Sequence, residues 1–319
     1  MDCERLFISA LHKSGVLLGV GDDAVLLQDV SRISPRIHFF TPRIKSPKYR
    51  HLQGISSSSF ARVLGKHKEL LVAADGFCEH IHFKREWLSL EEIATKAMLI
   101  NISDMFAMNA LPKYALLSVA LPHLQAKEIT QIAQALANVA RSYNVKLIGG
   151  DTMKGESLAF HITMLGVPNG KILGRKGLKA GDLVYCTGRV GQSLYALLWL
   201  LRGGKIAHSK RFARFIAPCL RDQFIAAIAP FARVGLDVSD GVLRELHTLS
   251  ALNHLRFSSL TKSRIPAYKS GEEYELLFAI APRHKHRLLR VAKRTRTPLE
   301  FIAKAKRIGS KLPRARIWH

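Results

Sequence analysis

In the first half of the chain, short apolar runs alternate with helix-periodic segments, and no other feature restricts the fold as much. "ELLVAADGF" (69–77) is apolar until it ends in Asp-Gly, the pattern of a buried strand reaching a turn. "SLEEIATKAMLINISDMFAMNA" (89–110) opens with a serine, then glutamates, then apolar residues at helical spacing, which predicts a capped helix. "KYALLSVALP" reads as a strand closed by proline, "AKEITQIAQALANVARSYN" as a second amphipathic helix, and "VKLIGGD" and "LAFHITMLGV" as two more strands. This alternation over residues 17–167 predicts an α/β or α+β domain.

Residues 28–68 break the pattern with three prolines, many bases and the run "SSSS", so they are expected to be a surface loop or a flexible insertion. "PNGKILGRKGLKAGD" (168–182) is rich in glycine and lysine and marks a junction, dividing the chain into domains 1–168 and 169–319. Beyond it, "LVYCTG" predicts a strand, "GQSLYALLWLLRGG" a helix, 210–231 a helical stretch, and "VGLDVSDGVLRELHTLSAL" a strand, an acidic turn and a helix. "EYELLFAIA" predicts a further strand and 283–296 a helix. Apolar runs such as "LYALLWLL" fall far short of the ~20 residues a bilayer span needs. The first residues lack a signal-peptide core, so a cytoplasmic protein is expected. Cys3, Cys78, Cys186 and Cys219 are scattered without metal-ligand spacing and are expected to be free thiols.

Forty-nine Lys and Arg against 24 Asp and Glu leave a formal charge of +25. Nucleic acid would account for such a charge. Yet the bases are spread along the chain, no nucleic-acid-binding motif is present, and the basic C-terminal region also has amphipathic helical spacing. Nucleic acid is therefore an unlikely primary ligand. A field that draws in a polyanionic small molecule fits better.

The acids are scarce, and several stand at strand ends or in glycine-bearing turns: Asp22, Asp23, Asp75, Asp104, Asp151, Asp237 and Asp240. Each has an ordinary reading. Asp22 and Asp23 can cap a turn, and Asp237 and Asp240 can cap a helix. Glu79 with His80 and His82 is a weak metal signal. Asp104 lies among apolar neighbours in a helix, where a charge needs a partner. Converging carboxylates would repel one another without cations, and magnesium suits them because it takes oxygen ligands together with waters and phosphates. The residues thus point to a magnesium–phosphate site, with Gly149 and Gly150 letting backbone approach closely. Neither the P-loop pattern, the protein-kinase motif set nor a nucleophile elbow is present.

Taken in order, "GDDAVLL" (21–27), "AADGFCEHIHF" (73–83), "NISDMFAMNALP" (101–112), "IGGDTMKG" (148–155), "GRKGLKAGDLVYCTGRVG" (174–191), "DVSDGV" (237–242) and "SGEEYELLF" (270–278) resemble the thiamine-monophosphate kinase family of the aminoimidazole ribonucleotide synthetase-like superfamily. The resemblance implies two α/β (α+β) domains, N-terminal strands forming a barrel across a homodimer, and direct phosphoryl transfer from ATP to thiamine monophosphate with several Mg2+ ions. It implies Asp23, Asp75, Asp104, Asp151, Asp237 and Asp240 as metal ligands, and Gly150, Asp151, Arg175 and Ser239 as ATP contacts. His82, Glu272 and Trp318 are the implied substrate contacts, and no general base is assigned. The chain departs from the family pattern at Ala73 and Ala74, where hydroxyl residues are common, and at Glu273, where aspartate is usual. Alternative readings are a selenophosphate synthetase-like or hydrogenase-maturation-like relative, or a basic nucleic-acid-binding protein.

Overall fold

The structure is a computed structural model that describes residues 25–28, 69–206 and 211–315. Asp22, Asp23, Trp318, Cys3 and nearly all of the 28–68 segment lie outside the described residues. Two five-stranded sheets carry the chain.

The first sheet has the order β1-β2-β5-β3-β4, from β1 (Val25–Gln28), β2 (Glu69–Cys78), β3 (Ala110–Leu121), β4 (Lys146–Lys154) and β5 (Ala159–Pro168). All its pairings are antiparallel except β3 with β4, which the intervening helix α2 (Ala126–Ser142) makes parallel. Helix α1 (Leu90–Ala107) begins at the expected serine: Ser89 Oγ accepts from the Glu92 amide at 3.2 Å, and the Glu92 carboxylate accepts from the Ser89 amide at 2.8 Å. Both helices pack on one face of the sheet, where Leu71, Ala73, Phe77, Ala115, Val119, Phe160, Ile162 and Met164 are buried.

The second sheet has the order β7-β9-β6-β10-β8, from β6 (Leu183–Thr187), β7 (Ala232–Asp237), β8 (Arg256–Phe257), β9 (Leu276–Ile280) and β10 (Leu299–Lys306). One face carries Tyr185, Phe278 and Ile280 into a core shared with helices α3 (Gln192–Leu201), α5 (Asp222–Ile228) and α8 (Lys285–Arg294). The other face, with Val184, Leu236, Leu277 and Ala279, is covered by α6 (Val242–Asn253) and α7 (Ile265–Tyr268).

The expected helical stretch at 210–231 is instead two short helices, α4 (Ala213–Ile216) and α5. Pro218 lies between them, and a proline both lacks the donor and restricts its predecessor to extended backbone. Among the described residues Cys78, Cys186 and Cys219 are free thiols, and no helix is long and apolar enough to cross a membrane.

Helix α1 is the piece that positions the site. It contacts β2, β3 and β5 of the first sheet, and also β7, α4 and α5 of the second unit. A helix covered on both sides is apolar nearly all round, so each polar residue on it stands out. Lys96, Asn101 and Ser103 are buried on α1 and Asp104 is half-buried.

Candidate active site

Lys96 and Ser103 lie seven residues apart, two turns along the same face of α1, and both reach into the second unit. Lys96 Nζ, fully buried, donates to Glu272 Oε2 at 2.7 Å. Ser103 Oγ donates to Asp237 Oδ2 at 3.0 Å.

Asp237 ends β7 and opens the turn Val238-Ser239-Asp240-Gly241 that leads into α6. Gly241 has φ 98°, and a Cβ there would stand 3.0 Å from the Ser270 carbonyl, so only glycine suits this turn. Segment 270–275 is buried and folds over the turn. The Glu272 amide donates to Ser239 O at 2.6 Å, and the Glu273 and Tyr274 amides donate to Val238 O at 3.1 and 3.0 Å. Glu272 and Tyr274 both take left-handed φ, 53° and 49°, a costly backbone that these hydrogen bonds hold in place.

The phenol of Tyr274 shows what this folding gathers. Burial raises its pKa well above the ordinary value, and the charges of Glu272, Asp75, Asp237 and Asp104 raise it further. Two strand aspartates, one helix aspartate and a loop glutamate therefore all lie within electrostatic reach of one buried ring. Ser103, Asp237, Tyr274, Arg221 and Glu275 line a small hollow at this junction of the two units. Asp75 Oδ1 accepts from the Gly76 amide at 2.8 Å, which fixes the carboxylate near the end of β2. Ser239 and Asp240 are half-buried beside Asp237.

His82 and Glu272 occupy one neighbourhood. The His82 ring lies 5.5 Å from Phe77, and Lys96 Nζ sits 5.6 Å above that same ring while it pairs with Glu272. His82 Nδ1 accepts from the Cys78 amide at 3.1 Å, so a neutral ring carries its proton on Nε2. Glu79 is a structural acid: its carboxylate takes Arg85 Nε at 2.6 Å and the Leu158 amide at 2.9 Å.

Asp151 and Arg175 are placed differently. Across the first sheet Asp75 is level with Ile162, Leu117 and Gly150, whereas Asp151 is level with Ser118, His161 and Gly76. Side chains alternate faces along a strand, so Asp75 shares the helix-covered face with Ile162 while Asp151 shares the open face with Ser118. Asp151 is exposed on the edge strand β4. Gly150 has φ 141°, and a Cβ there would stand 1.7 Å from the Leu117 carbonyl, so β3 itself demands this glycine. The Arg175 carbonyl accepts from Asn253 at the C-terminal end of α6, about 18 Å of helix from the Asp237–Asp240 turn at its start.

Sequence reasoning missed Lys96 and Tyr274. A lysine inside a wholly apolar helical run is the same signal that singled out Asp104. Nothing local marks Tyr274, because three of the four acids that act on it are distant in sequence.

Among the described residues no three His, Cys, Asp or Glu side chains stand close enough to hold a metal ion. Magnesium does not require such a cage. It is ordinarily held by one or two carboxylates, waters and substrate phosphates. Asp237, buried on that hollow, with the half-buried Asp240 beside it, fits that habit.

Residues 58–168 match the family model of the AIR synthase related protein N-terminal domain. The thiamine-monophosphate kinase of Haemophilus influenzae is 33% identical over 256 residues, covering 74% of this chain and 77% of that protein. Among solved structures, AaThiL complexed with AMPPCP and TMP superposes with a TM-score of 0.70 at 21% identity, over 94% of this chain and 89% of its own. Escherichia coli HypE, a hydrogenase maturation protein, reaches 0.64 at 17% identity, over 77% and 83%. Both superpositions establish the shared two-domain fold.

Proposed function

The chain belongs to the thiamine-monophosphate kinase family, and we infer that it transfers the terminal phosphoryl group of ATP to thiamine monophosphate. A terminal oxygen of the acceptor phosphate attacks the γ-phosphorus, the bond to the β–γ bridging oxygen breaks, and thiamine diphosphate and ADP leave. Phosphoryl transfer asks for alignment and charge neutralisation more than for covalent participation of the protein. One observation carries the reading. The kinase-like motifs, scattered along the sequence, meet where the two units join: Ser103 of α1 bonds Asp237, Lys96 bonds Glu272, and the buried Tyr274 feels the charges of Asp75 and Asp104 as well.

In this reading Asp75, Asp104, Asp237 and Asp240 hold Mg2+, in part through water, with Asp23 joining them. Magnesium bound there would screen the phosphate charges and hold the two reacting groups in line. Ser103 orients Asp237 through its 3.0 Å hydrogen bond, and Gly241 keeps the turn close enough for Ser239 to face the nucleotide. His82 and Glu272, set by Phe77 and Lys96, face the thiamine phosphate, with Trp318 as a further contact. Arg175 is assigned to the nucleotide phosphates as a bidentate donor.

The open face of the first sheet exposes Leu116 and Met153, apolar side chains that a homodimer through this face would cover. Asp151 and Gly150 would then lie at the protomer boundary, and Asp151 would approach the nucleotide from there. No feature favours a HypE-like activity over the kinase.

Purified protein given Mg2+, ATP and thiamine monophosphate should yield thiamine diphosphate and ADP, resolved by chromatography. ATP binding without either product would overturn the kinase reading. Light scattering should give a dimer mass that Leu116→Glu converts to a monomer; a wild-type monomer would refute the dimer.

A further inference from the structure

The kinase reading leaves most of the charge unused. From Leu276 to the end the sequence carries thirteen Lys and Arg and one acid, Glu300. That acid is already neutralised, since Arg264 donates to both its oxygens at 2.8 Å and Tyr268 donates a third hydrogen bond. The fold concentrates the bases on one surface. On α8, Arg287, Arg290 and Arg294 border a groove of about 350 Å³ against Ala227 and Val291, with no acid lining it. Arg287 is fixed with its guanidinium 4.5 Å from the Phe231 ring.

Strand β10 extends this surface beyond the helices. Lys304 pairs with Leu183 and Lys306 with Arg256, and Leu183 in turn pairs with Ile280, so these side chains emerge on the face of the sheet that α8 covers. Lys304, Lys306 and Arg256 are all exposed. Phe301 lies on the same face and is 49% exposed, its ring held edge-on to Tyr185 at 5.4 Å. A half-exposed aromatic with lysines further along the same strand offers a ring on which a planar base can stack beside phosphate partners.

We propose that the face built by α8 and β10 binds single-stranded nucleic acid, with phosphates on its arginines and lysines and a base stacked on Phe301. Backbone neutralisation by basic side chains, combined with bases stacked on aromatics, is the usual chemistry of single-strand binding. A folded duplex presents no free base to a ring on a sheet. A lipid surface instead needs a continuous apolar stripe, whereas the exposed Leu289 and Ile308 stand singly on separate elements. The surface is independent of the kinase site: none of its residues belongs to the aspartate cluster or its loops.

The test is fluorescence anisotropy of a labelled ~20-nucleotide oligouridylate titrated with full-length protein from ~50 mM to ~200 mM salt. Saturable binding is expected, and six contacts, one for each basic side chain named on this face, should give a slope of log affinity against log salt of about −4. Lys304→Gln with Lys306→Gln should flatten that slope by about 1.4. Phe301→Leu, which keeps apolar bulk and loses the stacking face, should weaken binding roughly 10-fold. Thermal melting and kinase turnover of these variants should match wild type, so a failure of the kinase reading would remain distinguishable. No binding at the lowest salt would overturn the proposal. So would equal binding by all variants, or capture by phosphatidylserine vesicles in preference to the oligonucleotide.

Discussion

Two sets of acids meet between the units, and the protein treats them in opposite ways. The glutamates of "SGEEYE" are locked. Glu275 accepts from Arg221 at 2.8 and 3.0 Å and from Arg214 and Thr187. Glu273 accepts from the Gly191 and Ser193 amides and from Ser270 Oγ at 2.5–3.0 Å, and Glu272 is paired with Lys96. Of the aspartates, Asp237 ends β7 and Asp75 lies within β2, three residues before its end. Asp75 and Asp237 accept from neutral donors, a backbone amide and a serine hydroxyl. Charge matched by buried cations builds the fold. Charge gathered near strand ends is what a metal–nucleotide site requires.

Removing one member of a locked pair should have the largest effect. Glu275→Ala takes the carboxylate from the half-buried Arg221 and leaves Arg214 paired with Glu273 alone, and should cost about 3–5 kcal/mol in urea unfolding. A loss below about 1 kcal/mol would mean that the arginines find solvent, erasing the contrast. Lys96→Met should cost a similar ~3–5 kcal/mol, while Lys96→Met with Glu272→Gln should recover much of it, because a neutral pair carries no stranded charge. If the double variant were as unstable as the single, packing against Phe77 and Phe215 would be the dominant contribution of Lys96.

Asp237→Asn should invert the pattern, lowering turnover by ~10²-fold or more with the melting temperature nearly unchanged. Near-normal turnover would move Asp237 to the structural set. Gly150→Ala should destabilise by about 1–3 kcal/mol, measured by denaturant unfolding, because the new Cβ meets the Leu117 carbonyl. An unaltered midpoint alongside a raised KM for ATP would favour a nucleotide role for that glycine over the strand contact.

The smallest effect is in pH dependence. Burial pushes the Glu275 carboxyl upward, but the hydrogen bonds from Arg221 and the charges of Arg214 and Arg221 outweigh it and hold the group below its ordinary 4.5. Its stabilisation is therefore complete above 4.5 and is lost as pH falls through the lowered folded value. Glu273 runs the other way, because burial raises its carboxyl and favours the folded state as it protonates. The stability gap between wild type and Glu275→Gln should be constant near neutral pH and close below 4.5. A gap that persists at lower pH would show that the arginines pair elsewhere.

Much of this was legible from residue order. The Ser89 cap, the α1 helix with its misplaced polar residues and the Asp237–Asp240 turn follow from local periodicity and turn chemistry, which depend on neighbours within a few residues, whereas β2 runs on through Asp75 and Gly76 to Cys78 instead of turning there. The break between α4 and α5 also had a local signal in Pro218, although the apolar spacing around it suggested one continuous stretch.

Partnership across distance was not legible. The sequence by itself determined the alternation of elements, the positions of the candidate acids and the family resemblance, since each resides in a short motif. Only the tertiary structure decided that Lys96 neutralises Glu272, 176 residues away, and that Tyr274 comes under the charges of four acids from four segments. It alone turned Asp151 to the open face and gave Gly150 a strand to fit against. The physical reason is range: helix and turn preferences are set by adjacent residues, whereas burial, charge pairing and sheet register are set by whichever distant segment the fold brings alongside.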